Sequence, residues 1–530
     1  MAGSQKVRGS NPLTSTNSPL DPSVPTRPAG LLVLVFFAGV GSMATEICAS
    51  RLLAPFYGSS TVVWANVIGL VLASLSLGYW IGGRLADRRP SPVLLGRLVL
   101  AGAALVALVP FVAPPLLDLS VRGIDTLSVG AVIGSFIASL ALFAPPVVLL
   151  GMVTPFAIRL GVTDVTAAGS FAGRVFALST LGSLLGTFLP ALVTIPLVGT
   201  QRTLIGAAAI IALGAVPVLG RSSSLVGLGL AALLLVPPGV AKATDGLLHE
   251  EESRYQYIQV VQRGEERRLY LNEGQAIHSV WRADTVLTGG EWDMFLCAPP
   301  LLGRPPRDVA ILGNAGGTTA RAFGVYFPEA RIDGVEIDGA VSDVGRAYFG
   351  LDDNPRLTVH TADARPFLRA TERRYDLILI DAYRQPYVPF YLATREFFAL
   401  ARSRLAPDGV VALNVSTVPG DERLARAVAG TLTSVFPQVV TWQALRFNQF
   451  VVGLADPQPL ATLRARLLAA PDDLLPDARS FAAGLRRTPS AADPWTDDRA
   501  PVEWVTDRMI AAYAMRGADH AERLLPTAPD

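Results

Sequence analysis

The sequence predicts a multi-domain protein in which an all-α transmembrane bundle precedes a small β-domain and an α/β Rossmann-like domain. Three observations predict this fold class. Apolar runs of about 20 residues, the length that a bilayer core requires, fill the first half of the chain. Most of the charge lies in the second half. There, four apolar strand-like runs lead into glycine-rich or acidic segments, as in an open parallel sheet that binds a ligand at its carboxyl edge.

At 530 residues the chain is too long for one ordinary domain. The first segment is rich in Ser, Pro, Thr and Asn and has too little apolar surface to offset chain entropy, so we expect it to be disordered. The expected divisions are a disordered tail (1–29), a transmembrane domain (30–241), a linker and small β-hairpin domain (242–300), a Rossmann-like domain (301–455) and a C-terminal helical segment (456–530).

Charge supports the transmembrane prediction. Between Leu31 and Val240 there are five acidic residues, ten arginines and no lysine. The fourth apolar segment contains Pro145 and Pro146, and it either kinks or continues to Arg159, which decides whether the number of crossings is odd or even. We expect about seven spans, with approximate bounds Leu31–Leu53, Val62–Arg84, Val93–Leu116, Val129–Leu150, Phe171–Val198, Thr203–Leu219 and Leu225–Val240.

Two arguments about orientation disagree. Basic loops favour the cytoplasm, and Lys6, Arg8, Arg27 and the loop at 84–89 would then put the soluble half outside if there are seven spans. An enzyme that uses a cytosolic cofactor needs its catalytic domain in the cytoplasm. The second argument is preferred because the fourth segment has room for an extra crossing. We therefore expect a multi-pass membrane protein whose catalytic domain is cytoplasmic.

The composition turns polar after the apolar half. The run Glu250 to Glu252 has the character of a solvated linker. Two alternating runs, Tyr255 to Gln262 and Arg268 to Asn272, flank a Gly-Glu-Glu turn and predict a β-hairpin. Near the end of the α/β domain, Gln438 to Trp442 and Phe450 to Leu454 predict two antiparallel strands.

The α/β domain opens with the apolar run Val309 to Leu312 and the glycine loop Gly313 to Gly317. Glycines let the backbone turn tightly and approach a ligand closely. The next strand ends at Glu336, about 20 positions later, where an acid suits the two hydroxyls of a ribose. The third strand leads into Asp363, and the fourth delivers Asp381 at its carboxyl end. These strand ends are expected to converge on one crevice.

Other ligand classes find little support. The formal net charge of +1 argues against general nucleic-acid binding, which needs a basic surface. The two cysteines lie far apart and the four histidines are scattered, so neither a disulfide framework nor a metal site is expected.

These features together resemble the bacterial proteins in which a membrane-helix domain, similar to major facilitators, is fused to spermidine synthase. The α/β unit is also similar to AdoMet-dependent methyltransferases. The motifs that carry the resemblance are Arg51-Leu52-Leu53-Ala54-Pro55, Leu181-Gly182-Ser183, Tyr255-Gln256, the turn Leu271 to Gln275, the glycine loop, Val335-Glu336-Ile337-Asp338, Thr361-Ala362-Asp363-Ala364-Arg365 and Ile380-Asp381-Ala382-Tyr383.

The resemblance implies a site for decarboxylated AdoMet or AdoMet as co-substrate. Glu336 would bind the ribose hydroxyls, Asp363 the adenine amino group and Gln256 the tail of the cofactor. Gly313, Gly316 and Gly317 would form the loop beside it. The alternative is that Glu336 and Asp363 are merely polar strand ends.

The resemblance also implies a reaction. Spermidine synthases transfer an aminopropyl group from decarboxylated AdoMet to an amine. Because the sulfonium is already activated, the protein mainly has to align the amine and accept its proton. Asp381 occupies the position of that catalytic base.

The chain departs from the family at the substrate side. The family's loop carries an acid where this chain has Gly316, and its second acid after the catalytic one is replaced by Arg384, next to Tyr383. Glu291 and Asp293 are expected to restore part of an acidic amine pocket. Arg384 either selects an anionic acceptor or is a solvent-facing loop charge.

The expected function is therefore membrane-anchored, spermidine-synthase-like aminopropyl transfer in polyamine biosynthesis. The expected partners are the lipid bilayer, a small-molecule acceptor and, by resemblance, a second copy of the chain. One alternative is AdoMet-dependent methyl transfer, favoured by Gly316 and Arg384. Another is a transporter or sensor whose α/β unit binds a nucleoside without catalysis.

Overall fold

The computed structural model describes residues 28–57, 61–124, 130–237, 239, 241–272, 274, 276–383, 387–489 and 493–516. The expected disordered tail, apart from its last two residues, and Arg384 lie outside these ranges. Helices fill the first half of the chain. They are α1 (Pro28–Tyr57), α2 (Thr61–Arg88), α3 (Pro92–Ile124), α4 (Gly130–Gly151), α5 (Val153–Gly161), α6 (Ala168–Leu189), α7 (Ile195–Gly214), α8 (Val216–Leu219) and α9 (Arg221–Ala232).

Five helical stretches are long and apolar enough to cross a membrane: Pro28–Tyr57, Val63–Arg88, Pro92–Ser120, Phe136–Gly161 and Val165–Leu219. The last contains 55 residues and is broken at Gly199, whose φ of 81° is not helical. The fifth and sixth predicted spans both fall within it. The seventh falls on a shorter apolar helix, Arg221–Leu235. The count of seven crossings therefore stays a prediction.

The fourth apolar segment passes through the bundle once. Gly82 of α2 lies against Met152, between α4 and α5. Arg159, near the end of α5, has its Nε 3.2 Å from Oδ1 of Asp87, near the end of α2. The prolines in α4 do not turn the chain back, and Phe136–Gly161 is one long apolar helical stretch.

The opposite end of the bundle contacts the polar half of the chain. Thr200 donates hydrogen bonds to Glu252 from its backbone N (3.1 Å) and from Oγ1 (2.5 Å). Lys242 Nζ donates to the carbonyl oxygen of Pro55 at 3.1 Å. A cavity of about 510 Å³ lies between the helices and the first sheet. Glu252 belongs to a strand, so the prediction of a solvated linker at Glu250 to Glu252 was wrong: this segment is held by sheet pairing and by Thr200.

A four-stranded antiparallel sheet follows, with its strands paired in chain order. The predicted hairpin forms its centre, where Ile258 pairs with Leu271. Val341 and Val344 of a following helix cover Ile258 from one face. The strands are β1 (Leu247–Glu252), β2 (Tyr257–Arg263), β3 (Glu266–Leu271) and β4 (Ile277–Trp281).

An eight-stranded sheet organises the α/β unit, in the order β12-β10-β11-β9-β8-β5-β6-β7. The five strands from β9 to β7 are parallel, and β11, β10 and β12 add antiparallel pairs at the other edge. All six strands predicted from the sequence in this unit are present. The strands are β5 (Asp308–Leu312), β6 (Arg331–Glu336), β7 (Leu357–Thr361), β8 (Tyr375–Ile380), β9 (Leu405–Ser416), β10 (Gln438–Leu445), β11 (Asn448–Leu454) and β12 (Arg486–Arg487).

Helices cover both faces of this sheet. Val309 and Ile311 point into one apolar cluster, and Ala310 and Leu312 point into another, as strand alternation requires. Burial on both faces explains why these strands are continuously apolar. The helices are α10 (Glu291–Phe295), α11 (Pro299–Leu302), α12 (Thr318–Tyr326), α13 (Gly339–Tyr348), α14 (Ala364–Ala370), α15 (Arg395–Ser403), α16 (Arg423–Thr433), α17 (Leu460–Leu467), α18 (Leu475–Gly484) and α19 (Val502–Arg516).

Candidate functional site

The candidate site lies where the strand order reverses, between β5 and β8. In open α/β sheets the crevice outside such a switch point is where ligands bind. The backbone N of Asp381 donates to the carbonyl oxygen of Leu312 at 2.8 Å, which joins the ends of the two strands. Gly313 follows with a φ of 90°, and a Cβ there would lie 2.5 Å from the carbonyl oxygen of Asp381. Only glycine fits this close approach.

Two adjoining cavities open at this point, one of about 330 Å³ and one of about 20 Å³. The larger is lined by predicted cofactor residues, among them Gln256, Glu336 and Asp363. The smaller is lined by Glu291, Trp292 and Asn414, among others. The residues that line both cavities are His278, Gly313, Ala315, Asp381 and Tyr383.

Glu336 ends β6 beside the glycine loop. Its two carboxylate oxygens accept hydrogen bonds from the backbone N of Ala315 (3.0 Å) and of Asp338 (3.1 Å). Burial raises the pKa of Glu336 to about 7, and these two backbone donors oppose the rise. The carboxylate therefore holds the loop in place as well as lining the larger cavity.

Asp363 is the N-cap of α14. Oδ1 accepts from the backbone N of Arg365 at 2.9 Å, and Oδ2 accepts from the Tyr391 hydroxyl at 2.8 Å. Gln256, on the loop before β2, comes to the same cavity from the first sheet. The structure thus brings Glu336, Asp363 and Gln256 together around one space.

Asp381 is the acid at the boundary between the two cavities. Asn414 Nδ2 donates to its Oδ1 at 3.0 Å, and Asn448 Nδ2 donates in turn to Asn414 Oδ1 at 3.0 Å. Burial raises the pKa of Asp381 to about 6, although the Asn414 hydrogen bond lowers it. A carboxyl with this pKa is ionised at pH 7 and still takes up a proton readily.

Tyr383 lines both cavities with its ring while its hydroxyl is engaged elsewhere. The hydroxyl donates to the carbonyl oxygen of Asn414 at 2.7 Å and accepts from the backbone N of Ser416 at 2.9 Å. Burial raises its pKa well above the usual range. Tyr383 therefore contributes a fixed wall to the site.

The two acids of α10 have different environments. Glu291 lines the smaller cavity, and burial together with the charge of Asp381 raises its pKa to about 7. Asp293 turns away: it accepts hydrogen bonds from the backbone N of Thr288 and of Gly289 and from the Thr288 hydroxyl. This placement corrects the expectation that Asp293 helps to bind an amine, because both its oxygens cap the turn before α10.

The glycine loop also differs from the expectation. A Cβ on Gly316 would lie 2.9 Å from Ser279 Oγ, which accepts from the Gly316 backbone N at 2.8 Å, and a Cβ on Gly317 would meet Leu351. Both glycines face packed side chains. Besides Gly313, the loop residue that lines both cavities is Ala315, with a φ of 44°. An acid in this loop would face the cavities from position 315 rather than from position 316. Position 315 holds an alanine, so the loop provides no acid there.

Sequence reasoning missed several lining residues. His278 comes from β4 and Asn414 from β9, and neither follows a recognisable motif. Tyr391 reaches Asp363 from the segment after β8. For His278, an alternation of apolar and polar residues around β4 could have predicted a strand there. Within the described ranges, no three His, Cys, Asp or Glu side chains come together as a metal site.

Comparisons with known proteins agree with this geometry. The model of the Spermine/spermidine synthase domain matches residues 294–446. The probable polyamine aminopropyl transferase of Bifidobacterium longum is 36% identical over 199 residues, 37% of this chain and 44% of that protein. The polyamine aminopropyltransferase of Vibrio vulnificus is 30% identical over 210 residues, 38% of this chain and 69% of that protein. The chain belongs to the polyamine aminopropyltransferase family.

This is a family of transferases, and the match concerns the second half of the chain. The chain spans less than half the length of the Bifidobacterium longum relative. Among solved structures, a probable spermidine synthase from Corynebacterium glutamicum is similar with 18% identity and a TM-score of 0.37, over 48% of this chain and 99% of that one. The spermidine synthase of Thermotoga maritima is similar with 20% identity and a TM-score of 0.34, over 41% and 75%.

Proposed function

We propose that this protein is a membrane-anchored aminopropyltransferase that moves an aminopropyl group from decarboxylated AdoMet to an amine. The observation that carries the proposal is the position of Asp381, a half-buried acid on the wall between a large cavity and a small acid-lined one. A base at that boundary is within reach of a donor on one side and an acceptor on the other. Membership of the aminopropyltransferase family supports the same reaction.

The larger cavity fits a donor of the AdoMet type. Glu336 and Asp363 stand at the ends of neighbouring strands, the positions from which carboxylates reach a ribose and an adenine amino group. Gly313 has no side chain, so the donor can approach its backbone closely. We propose Glu336, Asp363 and Gln256 as the donor-binding residues, with Gly313 and Ala315 as the loop that borders the donor.

The proposed step needs little covalent help from the protein. The lone pair of the acceptor nitrogen forms a bond to the aminopropyl carbon, and the bond from that carbon to sulfur breaks. Its electron pair returns to sulfur and leaves a neutral thioether. The nitrogen then releases one proton to the Asp381 carboxylate, which Asn414 holds in position. Glu291 and the wall formed by Tyr383 would border the acceptor.

One observation favours methyl transfer as a second candidate. The loop residues that border both cavities are Gly313 and Ala315, so no loop acid there repels the carboxylate of intact AdoMet. A donor with a carboxylate would transfer its methyl group from the same sulfonium. The relative affinities of the two donors distinguish the two functions.

The test is Asp381→Asn in the full-length protein purified in detergent. We expect transfer to a diamine to fall by about 100- to 10,000-fold, because the amide cannot take the proton. Calorimetric titration should show unchanged affinity for decarboxylated AdoMet. Asp343→Asn, which removes an exposed carboxylate on α13, is the matched control and should keep full activity.

Two results would contradict the proposal. Unchanged turnover in Asp381→Asn would remove this residue from the chemistry. Tighter binding of AdoMet than of its decarboxylated form, with methyl transfer as the detected reaction, would replace the proposal by the second candidate.

The apolar helices support anchoring in a membrane, and we propose that they cross it. We propose that the stretch Phe136–Gly161 crosses the membrane once, which leaves no extra crossing in this segment to support a cytoplasmic catalytic domain. Arg88 and Arg159 lie at the end of the bundle away from the α/β unit, and basic residues favour the cytoplasm. We propose that the α/β unit lies on the other, extracytoplasmic face, where its donor would then have to be supplied.

A further inference from the structure

One wall of the larger cavity is formed by a segment that belongs to no strand. We call residues 387–394, which follow β8, the wall segment, and its first five residues line the cavity. The hydroxyl of Tyr391 in this segment donates to Oδ2 of Asp363 at 2.8 Å. Asp363 is the residue proposed to bind the adenine amino group of the donor. The position of the wall segment therefore bears directly on the donor site.

The wall segment is held at both ends by the C-terminal part of the chain. Near its start, the Tyr387 hydroxyl donates to Oδ1 of Asp507 in α19 at 2.5 Å. At its end, Thr394 Oγ1 donates to Oδ1 of Asp497 at 2.7 Å. Both acids lie beyond residue 446, where the match to the Spermine/spermidine synthase domain ends. A part of the chain outside that match thus supports the wall of the cavity.

A single guanidinium joins this support to the donor site. Arg365 donates from Nη1 and Nη2 to the two carboxylate oxygens of Asp497, at 2.8 and 2.6 Å. Its Nη1 also donates to the carbonyl oxygen of Tyr391 at 3.2 Å. Two parallel hydrogen bonds from a planar guanidinium to a carboxylate fix the orientation of both groups. Asp497 is 44% exposed, so we expect the pair to contribute more to geometry than to stability.

These contacts form one continuous path to the cavity. Asp497 orients Arg365, and Arg365 holds the backbone of Tyr391. The hydroxyl of Tyr391 then reaches Asp363. A displacement of about 1 Å in groups that position a substrate can cost about 100-fold in activity. Loss of the ion pair should therefore be felt at Asp363.

We propose that Arg365 and Asp497 are positioning residues for donor binding: their ion pair holds Tyr391, and through it Asp363, where the adenine of the donor binds. Neither of the two is among the described residues that line the cavity, so they act through Tyr391 and Asp363. This inference rests on the proposed donor site and adds to it two residues that lie behind its wall.

The experiment measures the affinity of the full-length protein in detergent for decarboxylated AdoMet and for AdoMet, which has the same adenosine. We expect Asp497→Ala to raise Kd for both by about 10- to 100-fold. The kcat at saturating donor and the KM for the amine should change little, because only donor binding is affected. Arg365→Lys should also raise Kd, since lysine keeps the charge but not the planar fork. Asp497→Asn keeps one oxygen acceptor and should recover part of the affinity.

Asp493→Ala is the matched control. Asp493 is 84% exposed in the same part of the chain and lies 3.8 Å from Arg499, so its loss should leave donor affinity unchanged. The path itself is tested with Tyr391→Phe, which removes the hydrogen bond to Asp363. Adding Asp497→Ala to Tyr391→Phe should weaken donor binding far less than Asp497→Ala does alone, because both substitutions break the same path.

Wild-type donor affinity in folded Asp497→Ala or Arg365→Lys would overturn this inference and leave the proposed function intact. A fall in kcat at unchanged donor affinity would also overturn it, since the pair would then act on the reaction step. If Asp497→Ala does not fold, Asp497→Asn and Arg365→Lys decide by the same criterion. A wild-type protein that binds neither donor would overturn the proposed function together with the inference.

Discussion

Asp381 and Glu291 are two acids on the wall of one small cavity, and their titration should govern the reaction. Burial raises the pKa of Asp381 to about 6, and burial plus the neighbouring charge raises that of Glu291 to about 7. A carboxyl with a raised pKa is protonated below that value and cannot act as a base. We expect kcat at saturating acceptor to rise with pH through a midpoint between about 6 and 7.

Glu291→Gln provides the control for this pH dependence. The charge of Asp381 raises the pKa of Glu291, whereas the pKa of Asp381 is raised by burial and lowered by its Asn414 hydrogen bond, with no contribution from Glu291. The kcat profile of Glu291→Gln should therefore keep a midpoint near the Asp381 pKa of about 6. A kcat that is independent of pH between 5 and 8, in protein that still binds donor, would show that no buried carboxyl serves as the base.

Individual residues differ in how well the sequence predicts them. Glu336, Asp363 and Asp381 were predictable as neighbours because each follows a parallel strand, and such strands share one carboxyl edge. Gly316 was predicted to border the cofactor, but its backbone N donates to Ser279 and it is Ala315 beside it that lines both cavities. His278 was missed because the hairpin sheet brings it to a site built by other strands.

The strands were easier to predict than the short elements around them. Strands β5, β6 and β8 are buried on both faces, so their apolar runs stand out from the flanking polar residues. The five-residue helix α10 has no apolar period to identify it. Its position depends on the carboxylate of Asp293, which holds the preceding turn by hydrogen bonds from Thr288 and Gly289.

The substitution Asp293→Ala tests whether the hydrogen bonds of Asp293 hold α10 in position. Loss of hydrogen bonds from two backbone N–H groups should lower the free energy of unfolding by about 1–3 kcal/mol, as for other lost caps. The same helix carries Glu291 and Trp292, so we also expect a higher KM for the acceptor with little change in donor affinity. Thermal unfolding and acceptor kinetics measure the two effects.

Asp293→Asn is the comparison variant, since it keeps one oxygen acceptor and should lose less stability. A raised KM for the acceptor in a variant of unchanged stability would mean that Asp293 acts on the substrate directly. That result would return Asp293 to the amine pocket and contradict its assignment as a cap.

At the scale of the whole molecule, the charges of the bundle are unevenly distributed between its two ends. The end near the α/β unit is marked by the Thr200 to Glu252 hydrogen bonds. The other end is marked by the Arg159 to Asp87 ion pair and by Gly96, which lies against Leu219. The arginines at or next to this second end are Arg84, Arg88, Arg89, Arg97, Arg159, Arg174 and Arg221.

The extracytoplasmic orientation can be tested with single cysteines and a membrane-impermeant maleimide on right-side-out vesicles. Both natural cysteines are buried, so the background should be low. Because the arginine-rich end should face the cytoplasm, Glu265→Cys in the β2–β3 turn should be labelled at once. Arg89→Cys, after α2, should be labelled only after the vesicles are permeabilised. The reverse pattern would place the α/β unit in the cytoplasm with the cytosolic donor, and labelling of both residues before permeabilisation would rule out a bundle that separates these two sites.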